Sequence, residues 1–232
     1  MRNSLYFLGQ PLVSLREAAR REAFMHISEG VLAAPVLIGG AAVCIGGTAL
    51  GLKKITQEEI PKVGILTAAF FVASLIHVPL GPSSVHLILN GLIGLILGWA
   101  AFPALLVALF FQAIFFQFGG ITVLGVNTVN MALPGVVAYY LCSPLVRSEN
   151  TVLNTVGGFI AGACAVAGAG ILVATSLYLS SQAFLGAAKA VLVAHVPIMI
   201  IEGIITAIAV SFLKKVRPEV IRGLKKGGNS LC

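Results

Sequence analysis

The sequence predicts an all-α membrane protein: a polytopic bundle of about seven transmembrane helices, N-terminus outside and C-terminus cytoplasmic. Three observations predict it. Of the 232 residues, 58% are hydrophobic and only 10% are charged, against roughly 25% charged residues in a soluble domain. The mean hydropathy is +1.02. The apolar residues also fall into runs close to the roughly 20 that cross a bilayer as a helix. The chain has no Asp and eight Glu, and its 26 glycines suit close contact between helices in lipid. Seven spans with short loops nearly exhaust the length and leave no room for a soluble catalytic domain.

The runs follow in order at 31–52, 63–81, 85–100, 102–118, 129–146, 152–181 and 187–213. A polar loop from Lys53 to Lys62, with Pro61 near its end, separates the first two. Gly81-Pro82 bends the chain before the third. Ala101-Phe102-Pro103 divides the stretch 85–118, which is too long for one span, into two. Gly119-Gly120 and Asn127 separate the fourth from the fifth, and Arg147-Ser148-Glu149-Asn150 follows the fifth. Charge supports the count. With seven spans, Lys53, Lys54, Lys62, Arg147 and the six basic residues of the tail 214–232 share the cytoplasmic side, and Lys189 stands alone opposite. Ten against one is the bias expected of cytoplasmic loops, whereas six spans would put basic loops on the wrong face. The net charge of +7 therefore reads as membrane orientation, not nucleic-acid binding. Cys44, Cys142, Cys164 and Cys232 lack metal-type spacing and read mostly as small buried hydrophobes.

Residues 1–24 carry four arginines without a continuous apolar core or a small-residue cleavage site, which makes them a poor secretory signal. They also place Arg16, Arg20 and Arg21 against the charge bias. The expectation is that this segment is a non-native leader or an over-early start, so that the functional chain begins at Met25. A transmembrane metal-binding bundle over 25–213 and a basic cytoplasmic tail over 214–232 complete the organisation.

Ionisable groups inside spans are costly and mark function by default. All four histidines fall in the outer half of the seven-span arrangement: His26 before the first span, with Glu29; His77 at the end of the second; His86 at the start of the third; His195 inside the seventh. Asn90 shares a helical face with His86, four residues earlier. Glu202, seven residues after His195, shares its face, which suits a structural hydrogen bond between helices. Gln117 and Asn127 flank the outer loop. Histidines with few carboxylates favour Ni2+, Cu2+, Zn2+ or Co2+ over Mg2+ or Ca2+. If Met25 is the first residue, its amine, the His26 amide and the His26 imidazole form two fused chelate rings. One further imidazole then completes four nitrogens in a plane, the tetragonal geometry of Ni(II) or Cu(II). The residues alone leave His77 and His86 both open as that fourth donor.

Four segments carry a resemblance: MHISEG at 25–30, SLIHVPLGPSSVHLILNGLIGLILG at 74–98, GVNTVNMALPG at 125–135 and AHVPIMIIEGIITA at 194–207. Together they resemble the NikM/CbiM family, the substrate-capture (S) components of energy-coupling-factor transporters for nickel and cobalt. The resemblance implies Met25, His26 and His86 as metal ligands, with His77, Asn90, His195 and Glu202 supporting or additional. HVPLGPSSVHLILNG is more similar to the nickel branch. The resemblance also implies Ni2+ or Co2+ as cargo, two cytoplasmic ABC-type ATPase subunits and a transmembrane coupling (T) subunit as partners, and a multi-pass place in the cell membrane. The chain has no GxxxxGK[ST] phosphate loop, so it does not drive transport with ATP by itself. A self-contained ion-coupled carrier, with His195 and Glu202 as a proton relay, is the competing reading. A membrane enzyme fits poorly, because only Glu29 and Glu202 are available as a base beside a metal.

Overall fold

The computed structural model describes residues 26–80 and 83–221, and of 77–80 and 83–86 the main chain alone. Residues 1–25, with the expected leader and Met25, and the tail beyond Ile221 lie outside the described residues. Seven helices build the bundle: α1 (Ala34–Leu52), α2 (Ile60–Ala73), α3 (Asn90–Leu97), α4 (Ala101–Phe116), α5 (Leu124–Val146), α6 (Thr151–Ser180) and α7 (Leu185–Val216). Between α2 and α3 lies a two-stranded antiparallel hairpin, β1 (His77–Leu80) and β2 (Ser83–His86).

Contacts between helices order them along the bundle. Gly40 of α1 abuts Val126 of α5, whereas Gly51, at the other end of α1, abuts Trp99 and Pro103. Asn90 bonds to Met131, Gly94 lies against Gly135, and Trp99 bonds to Tyr140. These steps of four and five residues on both helices show that α3 runs parallel to α5. The chain then reverses. Gly98 ends α3 with φ +55, a left-handed conformation that favours glycine. After one 3-10 turn, Gly98–Ala100, α4 climbs back until Gly119 meets Asn127.

Five helical stretches among the described residues are long and apolar enough to cross a membrane by length and composition, with Asn90–Phe116 counted as one. The reversal at Gly98 divides that stretch, so the seven described helices alternate in direction along the bundle. One end of the bundle carries His26; the other gathers Lys53, Lys54, Arg147 and Lys214, whose Nζ donates to the Ser148 carbonyl. The outward faces are apolar, with Ile38, Ile45, Val193 and Ile208 all well exposed. Such faces suit lipid and are rare on soluble monomers.

The second and third runs depart from expectation. Residues 63–81 and 85–100 read as whole spans, but the helices stop at Ala73 and start only at Asn90. Pro79 suits this break: proline offers no N–H to a helix and pushes the residue before it, here Val78 of β1, into extended backbone. The Ser74 hydroxyl closes α2 by donating to the Phe71 carbonyl, 2.7 Å away. The break in 85–118 falls at Gly98, slightly before the expected Ala101-Phe102-Pro103.

Glycine spacing explains the close packing. A Cβ on Gly91 would lie 2.6 Å from Gly162 Cα, and one on Gly94 would collide with the Gly135 carbonyl. Gly47, Gly51, Gly158 and Gly162 likewise face neighbouring helices. In the pair Gly94xxxGly98, however, the second glycine is the helix terminator.

Candidate metal site at the His26 end

The segment 26–33 folds onto the bundle through four anchors. Ile27 N–H donates to Asn127 Oδ1 at 3.1 Å, and Asn127 Nδ2 donates to the Ile27 carbonyl at 3.0 Å. Glu29 N–H donates to the Gly119 carbonyl at 3.1 Å. The Glu29 carboxylate accepts from Thr122 N–H at 3.0 Å. Ala33 N–H donates to the Ser180 hydroxyl at 3.1 Å. His26 is thereby only 7% exposed. Its ring stacks on Phe118, with centroids 6.3 Å apart and planes inclined by 10°. The Thr122 amide beside Glu29 holds that carboxyl below the usual carboxylate range.

The loop joining α4 to α5 can approach so closely because its glycines carry no side chain. A Cβ on Gly119 (φ +74) would lie 2.7 Å from Asn127 Nδ2, and one on Gly120 would run into the Glu29 side chain.

The hairpin brings two of the candidate histidines together. His77 and His86, nine residues apart in sequence, are cross-strand partners at its open end. Paired Cα atoms in such a ladder lie about 4.5–5.5 Å apart. Their side chains lie outside what is described, as does Met25. Among the described residues, no group of three or more His, Cys or Glu is placed to hold a metal.

Residues 26–220 match the family described as the cobalt uptake substrate-specific transmembrane region, CbiM. The chain belongs to the CbiM family. Among its relatives is a putative metal transport protein of Haemophilus influenzae, 46% identical over 202 residues, covering 85% of this chain and 97% of the relative. A putative fused nickel transport protein, NikMN, of Archaeoglobus fulgidus is 32% identical over 206 residues, covering 85% of this chain and 68% of the relative. The crystal structure of a transition metal transporter superposes with a TM-score of 0.67 at 28% identity, covering 83% of this chain and 93% of that one. The protein is a multi-pass membrane component of cobalt or nickel transport, in a family of transporters and not of enzymes.

The remaining candidates of this CbiM-family chain do structural work at defined places. Asn90, fully buried, donates from Nδ2 to the Met131 and Ala165 carbonyls, 3.2 Å each, and ties α3 to α5 and α6. His195 donates from Nδ1 to the Val191 carbonyl of its own helix at 2.7 Å, and its ring lies against Gly170. Glu202, on the same helical face as His195, bonds to a different segment. Its carboxylate accepts from the main-chain N–H groups of Ile88 and Leu89, at the exit of the hairpin. The reason is geometric: α3 starts beside Met131, four residues along α5 from Asn127, and the amides just before it come level with Glu202.

The sequence reading gave Asn127 no role beyond flanking a loop, and it missed the buried pair in which Gln112 Nε2 donates to Ser74 Oγ at 2.7 Å. Gln112 is a carboxamide inside an apolar run, and Asn127 lies two residues before one. In lipid that is a sufficient signal of an obligatory hydrogen bond, but it does not name the partner.

Proposed function

We propose that this chain is the metal-capturing component of an ATP-driven uptake transporter of the energy-coupling-factor type, with Ni2+ as its main cargo and Co2+ as a second. The ion is taken from outside the cell membrane by nitrogen donors: the Met25 amine, the His26 amide and imidazole, and the His86 imidazole. His77, across the ladder from His86, supports the site. The observation that carries this reading is the two-way pairing of Asn127 with Ile27, which holds the residue next to His26 against the helical bundle. A buried imidazole on a pinned loop gives a binding site little reorganisation to undergo. The alternative proton relay loses support, because Glu202 engages Ile88 and Leu89 and His195 engages Val191.

In this reading, two cytoplasmic ABC-type ATPases and a transmembrane coupling subunit drive the cycle, with the basic segment from Lys214 onward on the cytoplasmic side. Support for separate partners is the fused nickel relative, of which this chain covers 68%. N-terminal sequencing of the protein from its native membrane, followed by nickel and cobalt titration, tests the proposal. The expected mature chain starts at Met25 and binds nickel more tightly than cobalt. Tight nickel binding by a chain still carrying residues 1–24 rules out the amine ligand. Metal uptake by vesicles holding this chain alone, without ATP, rules out the capture role.

A further inference from the structure

We infer that Glu202 is a positioning residue for metal capture: it sets the place of His86 through the main chain of the hairpin exit. This rests on the reading of His86 as a ligand.

Glu202 is fully buried in α7. A carboxylate in that setting needs several donors to be tolerated. Those donors are the N–H groups of Ile88 and Leu89, which reach both carboxylate oxygens. Ile88 follows His86 by two residues. Leu89 has φ +50, a strained conformation for a leucine. That strain persists where surrounding contacts over-determine the backbone, and here they do. Directly after it, Asn90 is tied to α5 and α6. Gly91 packs on Gly162, and Gly162 in turn on the Glu202 carbonyl, with no side chain between the backbones. The carboxylate therefore projects from a rigid three-helix junction and holds two consecutive amides at the root of β2. Nothing else described bonds to the N–H groups of Ile88 and Leu89. A helix start also carries partial positive charge, which an acidic group offsets. A polar residue serving only as glue between helices would need one partner; two adjacent main-chain donors instead fix both the depth and the rotation of the strand that ends at His86.

The test is a double-mutant cycle in the full chain, reconstituted in lipid and titrated with Ni2+. Glu202→Gln keeps the volume but replaces one acceptor oxygen with a donor that opposes the Leu89 amide. It should raise the nickel Kd roughly tenfold, as loss of ligand-orienting contacts does. In a His86→Ala background the same change should alter Kd less than about twofold, because coupled residues are non-additive. Hydrogen exchange at the Ile88 and Leu89 amides should rise in Glu202→Gln without a general rise across α3. Glu202→Asp, which withdraws the carboxylate by one methylene, should give the same pattern and carries the test if Glu202→Gln fails to fold. Wild-type affinity in both Glu202 variants, with His86→Ala weakened, overturns this inference alone. Equal losses in both backgrounds also overturn it, since they indicate a general structural defect. Wild-type affinity in His86→Ala overturns the ligand reading and the inference together.

Discussion

Asn127 and Ile27, a hundred residues apart, exchange two hydrogen bonds, at 3.1 and 3.0 Å, in the pattern of a strand pair. The side-chain amide of α5 stands in for a neighbouring peptide unit, and so the segment after Met25 acquires a fixed depth in the bundle. The role proposed for His26 in capture depends on that depth.

Removing the amide should therefore weaken metal binding without unfolding the protein. A neutral hydrogen bond contributes about 1 kcal/mol net, and a stranded partner costs about 1–3 kcal/mol. Asn127→Ala is expected to raise the nickel Kd by roughly ten- to a hundredfold, measured by calorimetry in lipid. Asn127→Asp still accepts from Ile27 N–H but faces the Ile27 carbonyl with a second acceptor, and it should not recover the loss. Unchanged affinity in both variants would show that the pairing is irrelevant to capture.

The two histidines of the hairpin are expected to differ. His86→Ala should abolish high-affinity nickel binding, whereas His77→Ala should reduce it only several-fold. Titration of both variants decides the matter, and the reverse order would exchange their roles.

Acid should release metal in a range set by the nitrogen donors and not by Glu29. An α-amine titrates near 8 and an imidazole near 6.5, and protons compete with the ion at each, so affinity should fall from pH 8 to pH 6. The Glu29 carboxyl is lowered by the Thr122 amide. A group whose folded pKa is depressed stabilises above its unfolded pKa and loses that contribution as pH falls through the folded one. The clasp of Glu29 on Thr122 is then fully formed at neutral pH and weakens only below the ordinary carboxylate range. Glu29→Gln should leave the midpoint of metal release between pH 6 and 8 where it is; a shift of a full unit would contradict this.

Two glycine substitutions should separate packing from composition. Gly94→Ala would drive a methyl group into the Gly135 carbonyl, so α3 and α5 must part. The expected cost is about 1–3 kcal/mol or more, read as a clear fall in melting temperature in detergent. Gly39→Ala, also inside a helix but with nothing within 4 Å, should be neutral or slightly stabilising through helix propensity. Equal effects would mean that the close approach of α3 and α5 is not tight.

Much of this was legible in the sequence, and what was not has physical causes. The apolar runs located most helices, because in lipid hydrophobicity and length are nearly the whole requirement for a span. They failed over 74–89, where the stretch stays apolar while its prolines forbid helix, and hydropathy cannot register that difference. The face shared by His195 and Glu202 was read correctly, since it follows from helical periodicity. Periodicity named no partners for them, because Val191 lies on the same helix as His195 and Ile88 lies 114 residues from Glu202.

The sequence by itself determined a membrane bundle of about seven passes, its charge asymmetry and a short list of polar groups that had to find partners. Periodicity and hydropathy are local properties, and they carry that much. Only the tertiary structure decided that Gly98 turns one long apolar run back on itself, that His77 and His86 are paired across a ladder, and that Asn127 and Glu202 each grip main chain from a distant segment. Those outcomes depend on which backbones approach closely enough to bond, and closeness between distant segments is set by packing, which no single stretch of sequence encodes.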